Sequence, residues 1–143
     1  MKLNVYVNYL GRCEEAFRFY ERELGGRSIS IRRHGDQPHA SGAPADWVLH
    51  GRIEIGGTVL MGADIPGAEP MRSAYLSLTL DSAAEAERVY AALSEGGQVF
   101  MKMEETFFAS RFAMLRDRFG TSWMLLHERT MPAGPGTEGA AAA

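Results

Sequence analysis

Arg111 stands in the stretch Glu104 to Leu126, EETFFASRFAMLRDRFGTSWMLL, where alternation predicts a strand. A guanidinium in a partly dry strand is costly unless it meets a carboxylate or an anionic ligand. Glu105, just before the aromatic turn Thr106-Phe107-Phe108, and Glu54 are the internal carboxylates that could pair with it. An ion pair to either therefore stands beside ligand contact as a reading of Arg111. His50 lies in the apolar run Trp47 to Ile55. Histidine is the side chain whose charge changes nearest neutral pH, so His50, or Glu105, could serve as an acid or base. A satisfied core histidine is the plainer alternative. Trp47, beside a long loop, is the aromatic best placed to touch a ligand; Phe107, Phe108 and Trp123 read as core. His34 and His39 lack a third ligand, so no metal site is expected there. His127, at the end of the last strand, is expected in solvent.

These residues sit in a chain of 143 residues, enough for one ordinary domain or two small halves with a real interior. The hydrophobic share is 45%, the charged share 23%, and the net charge of -3 offers no counter-charge to a phosphate backbone, so nucleic acid is not an expected partner. Cys13 is the one cysteine; it excludes an intramolecular disulfide and reads as a small buried hydrophobe. MKLNVYVNYL alternates rather than forming a signal peptide, and no apolar run reaches membrane-spanning length. A cytoplasmic protein without membrane contact is the expectation. MPAGPGTEGAAAA at the other end reads as a flexible tail over 129–143.

The elements that must position these residues come in a repeated order. Leu3 to Leu10 reads as a strand, Cys13 to Leu24 as a helix with Cys13, Phe17, Tyr20 and Leu24 on one stripe, and Gly25-Gly26 as its stop. Arg27 to Arg33 is a second strand. His34 to Asp46 is a loop, Trp47 to Ile55 and Thr58 to Met61 form a hairpin at Gly56-Gly57, and GADIPGAEPMR is a linker. Ala74 to Leu80 then alternates. Ser82 and Glu85 have capping-box spacing, Ala86, Val89, Tyr90 and Leu93 form the next helical stripe, and Gly96-Gly97 ends it. Glu15-Ala16, Tyr20 and Gly26 recur seventy positions later at Glu85-Ala86, Tyr90 and Gly96; Gly57-Thr58 and Met61 recur sixty-three later at Gly120-Thr121 and Met124. The chain thus reads as an α+β domain over 1–128 made of two βαβββ units, about 3–62 and 73–127. One helix covers one face of each sheet, so function belongs on the other.

NYLGRCEEAFRFYERELGG, HGRIEIGGTVLMGAD and ETFFASRFAMLRDRFGTSWML resemble signature stretches of the PhnB-like branch of the vicinal oxygen chelate superfamily, which includes glyoxalases, dioxygenases and bleomycin and fosfomycin resistance proteins. The resemblance implies curved mixed sheets around a central cavity, usually in a homodimer. It also implies metal ligands at positions that here hold Val5, Met61, Tyr75 and Met124. None is a normal ligand for a hard or borderline divalent ion, so no cofactor is expected and a divalent metal is disfavoured. The family also carries a demethylubiquinone methyltransferase label. The double glycines follow helices rather than precede them, which argues against that activity.

With the four implied positions facing the cavity, strand parity turns Tyr75, Ser77 and Thr79 inward and puts Leu76, Leu78 and Leu80 under a helix. Phe112 and Met114 are then assigned to the helix side, leaving Arg111, Ala113 and Leu115 inward with His50. The expected function is binding of a partly apolar, anionic small molecule through Arg111, Tyr75, Ser77 and Trp47. The alternatives are a lyase or isomerase using His50 or Glu105, and a scaffold whose cavity its own side chains fill.

Overall fold

Cys13–Leu24 and Ala83–Ser94 form the helices, α1 and α2. α1 buries Cys13, Ala16, Phe17, Phe19 and Tyr20, and ends at Gly25, whose φ of 66° is the left-handed conformation that lets its N–H reach the Tyr20 carbonyl. α2 starts where Ser82 Oγ accepts from Glu85 N at 3.0 Å. The Glu85 carboxylate accepts from Asp81 N, one residue further back than a capping box would place it.

The computed structural model describes residues 1–39 and 41–129. The chain divides into two compact units, one over Met1–Pro70 and a second that begins at Met71. In the first, β1 (Val5–Tyr9), β2 (Arg27–Arg33), β3 (Val48–Ile55) and β4 (Thr58–Asp64) form a sheet of order β1-β4-β3-β2. In the second, β5 (Leu76–Thr79), β6 (Gln98–Glu104), β7 (Ala109–Arg116) and β8 (Ser122–Glu128) follow the order β5-β8-β7-β6. The first and last strands of each unit pair in parallel and the other neighbours antiparallel, so the fold is α+β with mixed sheets.

Each helix packs on one face of its own sheet. In the first unit that face holds Val7, Tyr9, Ile53 and Leu60, with Phe17 of α1 edge-on to Tyr9. In the second it holds Ala113, Leu115, Trp123 and Leu125 beneath Ala86, Val89 and Leu93. β1 and β5 are shorter than the expected Leu3–Leu10 and Ala74–Leu80, because their ladders run only from Val5 to Tyr9 and from Leu76 to Thr79.

β4 runs three residues past Met61, so Gly62, Ala63 and Asp64 belong to the sheet rather than to a linker. Asp64 is 1% exposed. Its Oδ1 accepts from Gly11 N and Cys13 N and its Oδ2 from Val48 N, each at 2.9 Å. His34, expected in an irregular loop, opens a 3₁₀ turn and is buried between Ser41 Oγ at 2.8 Å and the Asp64 carbonyl at 2.9 Å. Gly11 has a φ of +87°, and the Trp47 indole packs so closely over it that a Cβ would lie 2.9 Å from Nε1. At the other end, Arg129 belongs to the structure rather than to a tail, donating to Glu105 and to the Thr106 carbonyl. The rest of the expected tail, from residue 130, lies outside the described residues.

Asp64→Ala leaves three backbone N–H groups without an acceptor. It is expected to cost about 3 kcal/mol or more, read as a lowered urea midpoint at unchanged slope.

Candidate functional site

Strand pairing settles which side chains face away from the helices. In the first unit, Val5 shares parity with buried Val7 and Tyr9 and so lies on the helix side, not on the uncovered face expected of it. The uncovered position beside Met61 is Tyr6. The expectation failed because it carried the helix offset of seventy into the strand. The ladders place Val5 opposite Leu60 and Leu76 opposite Trp123, an offset of seventy-one. The connection between strand and helix is one residue shorter in the second unit.

His50 does lie on the uncovered face of the first sheet, alternating with buried Gly51. Its Nδ1 is 3.5 Å from the Tyr6 hydroxyl, with the rings 5.9 Å apart. Burial, and then the Cys13 side chain, push the Tyr6 phenol above its ordinary pKa, so it keeps its proton. Cys13 itself is fully buried. Burial, then the Asp64 and Glu14 charges, push its thiol up, which suits an inert packing group rather than a nucleophile.

In the second unit, Leu76 and Leu78 do take the helix side, with Ser77 and Thr79 exposed on the other. β7 is reversed from expectation. Ala113 and Leu115, both 0% exposed, and Arg111 face α2, whereas Phe112 and Met114 pack with Leu126 and Met124 on the uncovered face. Both faces are apolar here, so polarity could not choose between them; the smaller side chain Ala113 fits under the helix. Arg111 consequently meets neither Glu105 nor Glu54. Its Nε donates to Glu87 of α2 at 2.9 Å and its Nη1 to the Ser110 carbonyl at 2.7 Å. Glu105 pairs with Arg129 and is 61% exposed, while Glu54 stands between Arg27 and Arg52. Trp47 is taken up by Gly11. His127 is also placed differently, its Nδ1 lying 3.0 Å from the Leu80 carbonyl rather than in open solvent.

A cleft of about 460 Å³ opens in the second unit, lined by Arg72, Ser73, Tyr75, Gln98, Phe100, Arg116 and Ser122. Two arginines and no carboxylate line it. Arg116 Nη2 donates to the Met71 carbonyl at 2.6 Å, an acceptor it shares with Ser122 Oγ at 3.3 Å. Its guanidinium carbon lies 5.3 Å from the centroid of the Phe100 ring, and Phe100 is edge-on to Tyr75 at 6.4 Å. Its Nε is buried without a hydrogen-bond partner among the described residues. This geometry suits an anionic group, held by the guanidinium over an aromatic floor. Tyr75, named from the sequence, lines this cleft, whereas Arg116 was not named, because the parity expected of β7 puts Phe112, Met114 and so Arg116 under the helix.

Of the positions implied for metal, Val5, Met61, Tyr75 and Met124, the strands set Tyr6 rather than Val5 beside Met61 and Ser77 rather than Tyr75 beside Met124. A phenol, an alcohol and two thioethers do not fit a hard divalent ion. Among the described residues no cluster of His, Cys, Asp or Glu could hold a metal ion, and no helix is long and apolar enough to cross a membrane.

A family model described as 3-demethylubiquinone-9 3-methyltransferase matches residues 1–126. Protein YjdN of Escherichia coli K12 is 28% identical over 139 residues, covering 87% of this chain and 94% of that protein. Among solved structures, PA1353 from Pseudomonas aeruginosa is 38% identical, with a TM-score of 0.80 over 91% of this chain and 99% of that one. A Bacillus cereus protein titled as a PhnB protein and putative 3-demethylubiquinone-9 3-methyltransferase is 24% identical, with a TM-score of 0.78 over 89% and 99%. The same fold recurs in glyoxalase, bleomycin resistance and fosfomycin resistance structures.

The Arg111–Glu87 pair is largely exposed, at 35% and 53%. A double-mutant cycle of Arg111→Ala and Glu87→Ala in urea denaturation is expected to return a coupling below about 1 kcal/mol. A coupling of several kcal/mol would make the pair a structural necessity instead.

Proposed function

Since the chain belongs to the family described as 3-demethylubiquinone-9 3-methyltransferase and shares its fold with a PhnB protein and a glyoxalase/bleomycin resistance structure, we propose that it is a small-molecule-binding protein whose second-unit cleft takes an anionic, partly apolar ligand. The observation that carries this is Arg116. It is a guanidinium fixed by the Met71 carbonyl and stacked near Phe100, in a cleft that no carboxylate lines. The anchor role first given to Arg111 passes to Arg116, which keeps Tyr75 as a lining residue and puts Ser77 on the same face of the sheet. Methyl transfer is set aside. A methyl-donor site of the usual kind needs a glycine-rich turn between a strand and a helix in a parallel sheet, whereas Gly25-Gly26 and Gly96-Gly97 each follow a helix.

The test replaces Arg116 with Gln, which keeps a polar, hydrogen-bonding side chain but shortens it and removes the charge. Affinity for small carboxylates such as benzoate, read by calorimetry, is expected to fall ten- to a hundredfold, the value of a charge-assisted hydrogen bond, with thermal unfolding little changed. Equal affinity in the two proteins would remove Arg116 as the anchor.

A second reading has its own observation, the contact of Tyr6 with His50. A protonated phenol beside an imidazole makes His50 the member of the pair able to exchange a proton, which supports an acid or base role in a lyase or isomerase reaction. Glu105 leaves that role because its carboxylate is engaged by Arg129. Exchange of the α-protons of a carbonyl compound bound to the protein, followed by deuterium incorporation, is expected to drop at least a hundredfold in His50→Gln. An unaltered rate would eliminate this reading.

A further inference from the structure

Building on the anion-binding reading of the second-unit cleft, we propose that its ligand is a compact arene carrying an anionic substituent, and that the thioethers of Met101, Met114 and Met124 select the ring. The uncovered face of this sheet is ordered in rows across the strands. Gln98, Arg116 and Ser122 pair across β6, β7 and β8, and Tyr75, one residue before the Leu76–Trp123 pair, stands at the end of the same row. All four line the cleft.

The neighbouring row, about 7 Å along the strands, is Met101, Met114, Met124 and Ser77. Three strands therefore present three methionines side by side. Met114 and Met124 pack against the buried Ala109, Phe112 and Leu126 cluster yet keep part of their surface open. Met101 is 40% exposed, and Met114 and Met124 are only partly buried. An irregularity in β6 between Val99 and Met101 leaves Phe100 as an extra residue there, and its ring reaches the cleft under Arg116.

The row after that is closed. Leu126 and Phe112 are 2% and 7% exposed. Phe108 stacks edge-on to Phe112 at 5.0 Å and Phe107 edge-on to Phe108 at 5.1 Å. An anionic head at Arg116 is thus followed by one apolar row and then by a wall. A ring anchored at Arg116 would lie along the methionine row beside the cleft, whereas a long alkyl chain would run on to Phe108 and Phe112. Unbranched, polarisable methionine suits a ring, since a sulfur-to-ring contact is worth roughly two- to tenfold in binding.

The experiment titrates the full chain with acetate, benzoate, 1-naphthoate and decanoate by calorimetry and follows the methionine methyl groups by NMR. The arenes are expected to bind at least tenfold tighter than acetate, and decanoate no tighter than benzoate. The methyls of Met101, Met114 and Met124 should move upfield in the ring current. Met114→Leu with Met124→Leu conserves volume and should cut arene affinity about threefold or more while acetate affinity stays as it was. Acetate and benzoate binding equally, with both lost in Arg116→Gln, would leave the anion site standing and overturn the ring selection. Decanoate binding tighter than the arenes would overturn it too, by showing an open groove. Failure of every acid to bind would overturn the anion-binding reading and the ring selection with it.

Discussion

The carboxylate of Asp64 holds the first unit together. A buried charge is expensive unless its lone pairs are filled, and here three backbone N–H groups fill them. Those donors come from the turn into α1, the first residue of α1 and the first residue of β3. One side chain at the end of β4 therefore fixes where a helix begins and where a neighbouring strand begins. The site also lies at the N-terminal end of α1, where a negative charge is favoured by the exposed amide dipoles. The carbonyl of the same residue takes His34, so the excursion between β2 and β3 is tied to the same point. The second unit uses a carboxylate differently. Asp117 closes the turn between β7 and β8 by accepting from Phe119 N, Thr121 N and the Trp123 indole.

Much of the frame was legible in the sequence, for physical reasons that differ by element. The helices announced themselves because their stripes are apolar on one side and charged on the other, and because glycine is the residue that ends them. The parity of β5 was legible because Leu alternates with Ser and Thr. The parity of β7 was not, because Phe112, Ala113, Met114 and Leu115 are all apolar and only size distinguishes their sides. Asp64 was hidden by its neighbours, since a carboxylate after Gly62 and Ala63 resembles a linker until its three donors are seen. The place of Arg116 was hidden for a related reason. Arg111, for which Glu105 and Glu54 were the expected carboxylates, meets Glu87 of α2, while Arg116, which the sequence did not single out, faces a cleft without a carboxylate.

The two sheets share strand order but present different chemistry on the faces their helices leave uncovered. The first offers Tyr6, His50 and Arg52, groups that donate, accept and carry charge. The second offers Arg116 at one end and then thioethers and phenyl rings. The helix-covered faces, by contrast, are apolar apart from Arg111 in the second unit and the buried Asp64 in the first. In the second unit the face away from the helix also carries packing, since Ala109, Phe112 and Leu126 form a buried cluster there.

From the equivalent ladder positions Asn8 and Thr79, four residues lead to α1, Tyr9 to Arg12, and only three to α2, Leu80 to Ser82. The strand is held by its ladder and the helix by its packing, so the turn between them is free to change length. Such a joint absorbs insertions and deletions during evolutionary drift without turning either sheet inside out. A numerical offset carried across it exchanges inside for outside, whereas ladder partners keep their correspondence; for a duplicated chain, hydrogen-bonded neighbours are the coordinate in which the two halves can be compared.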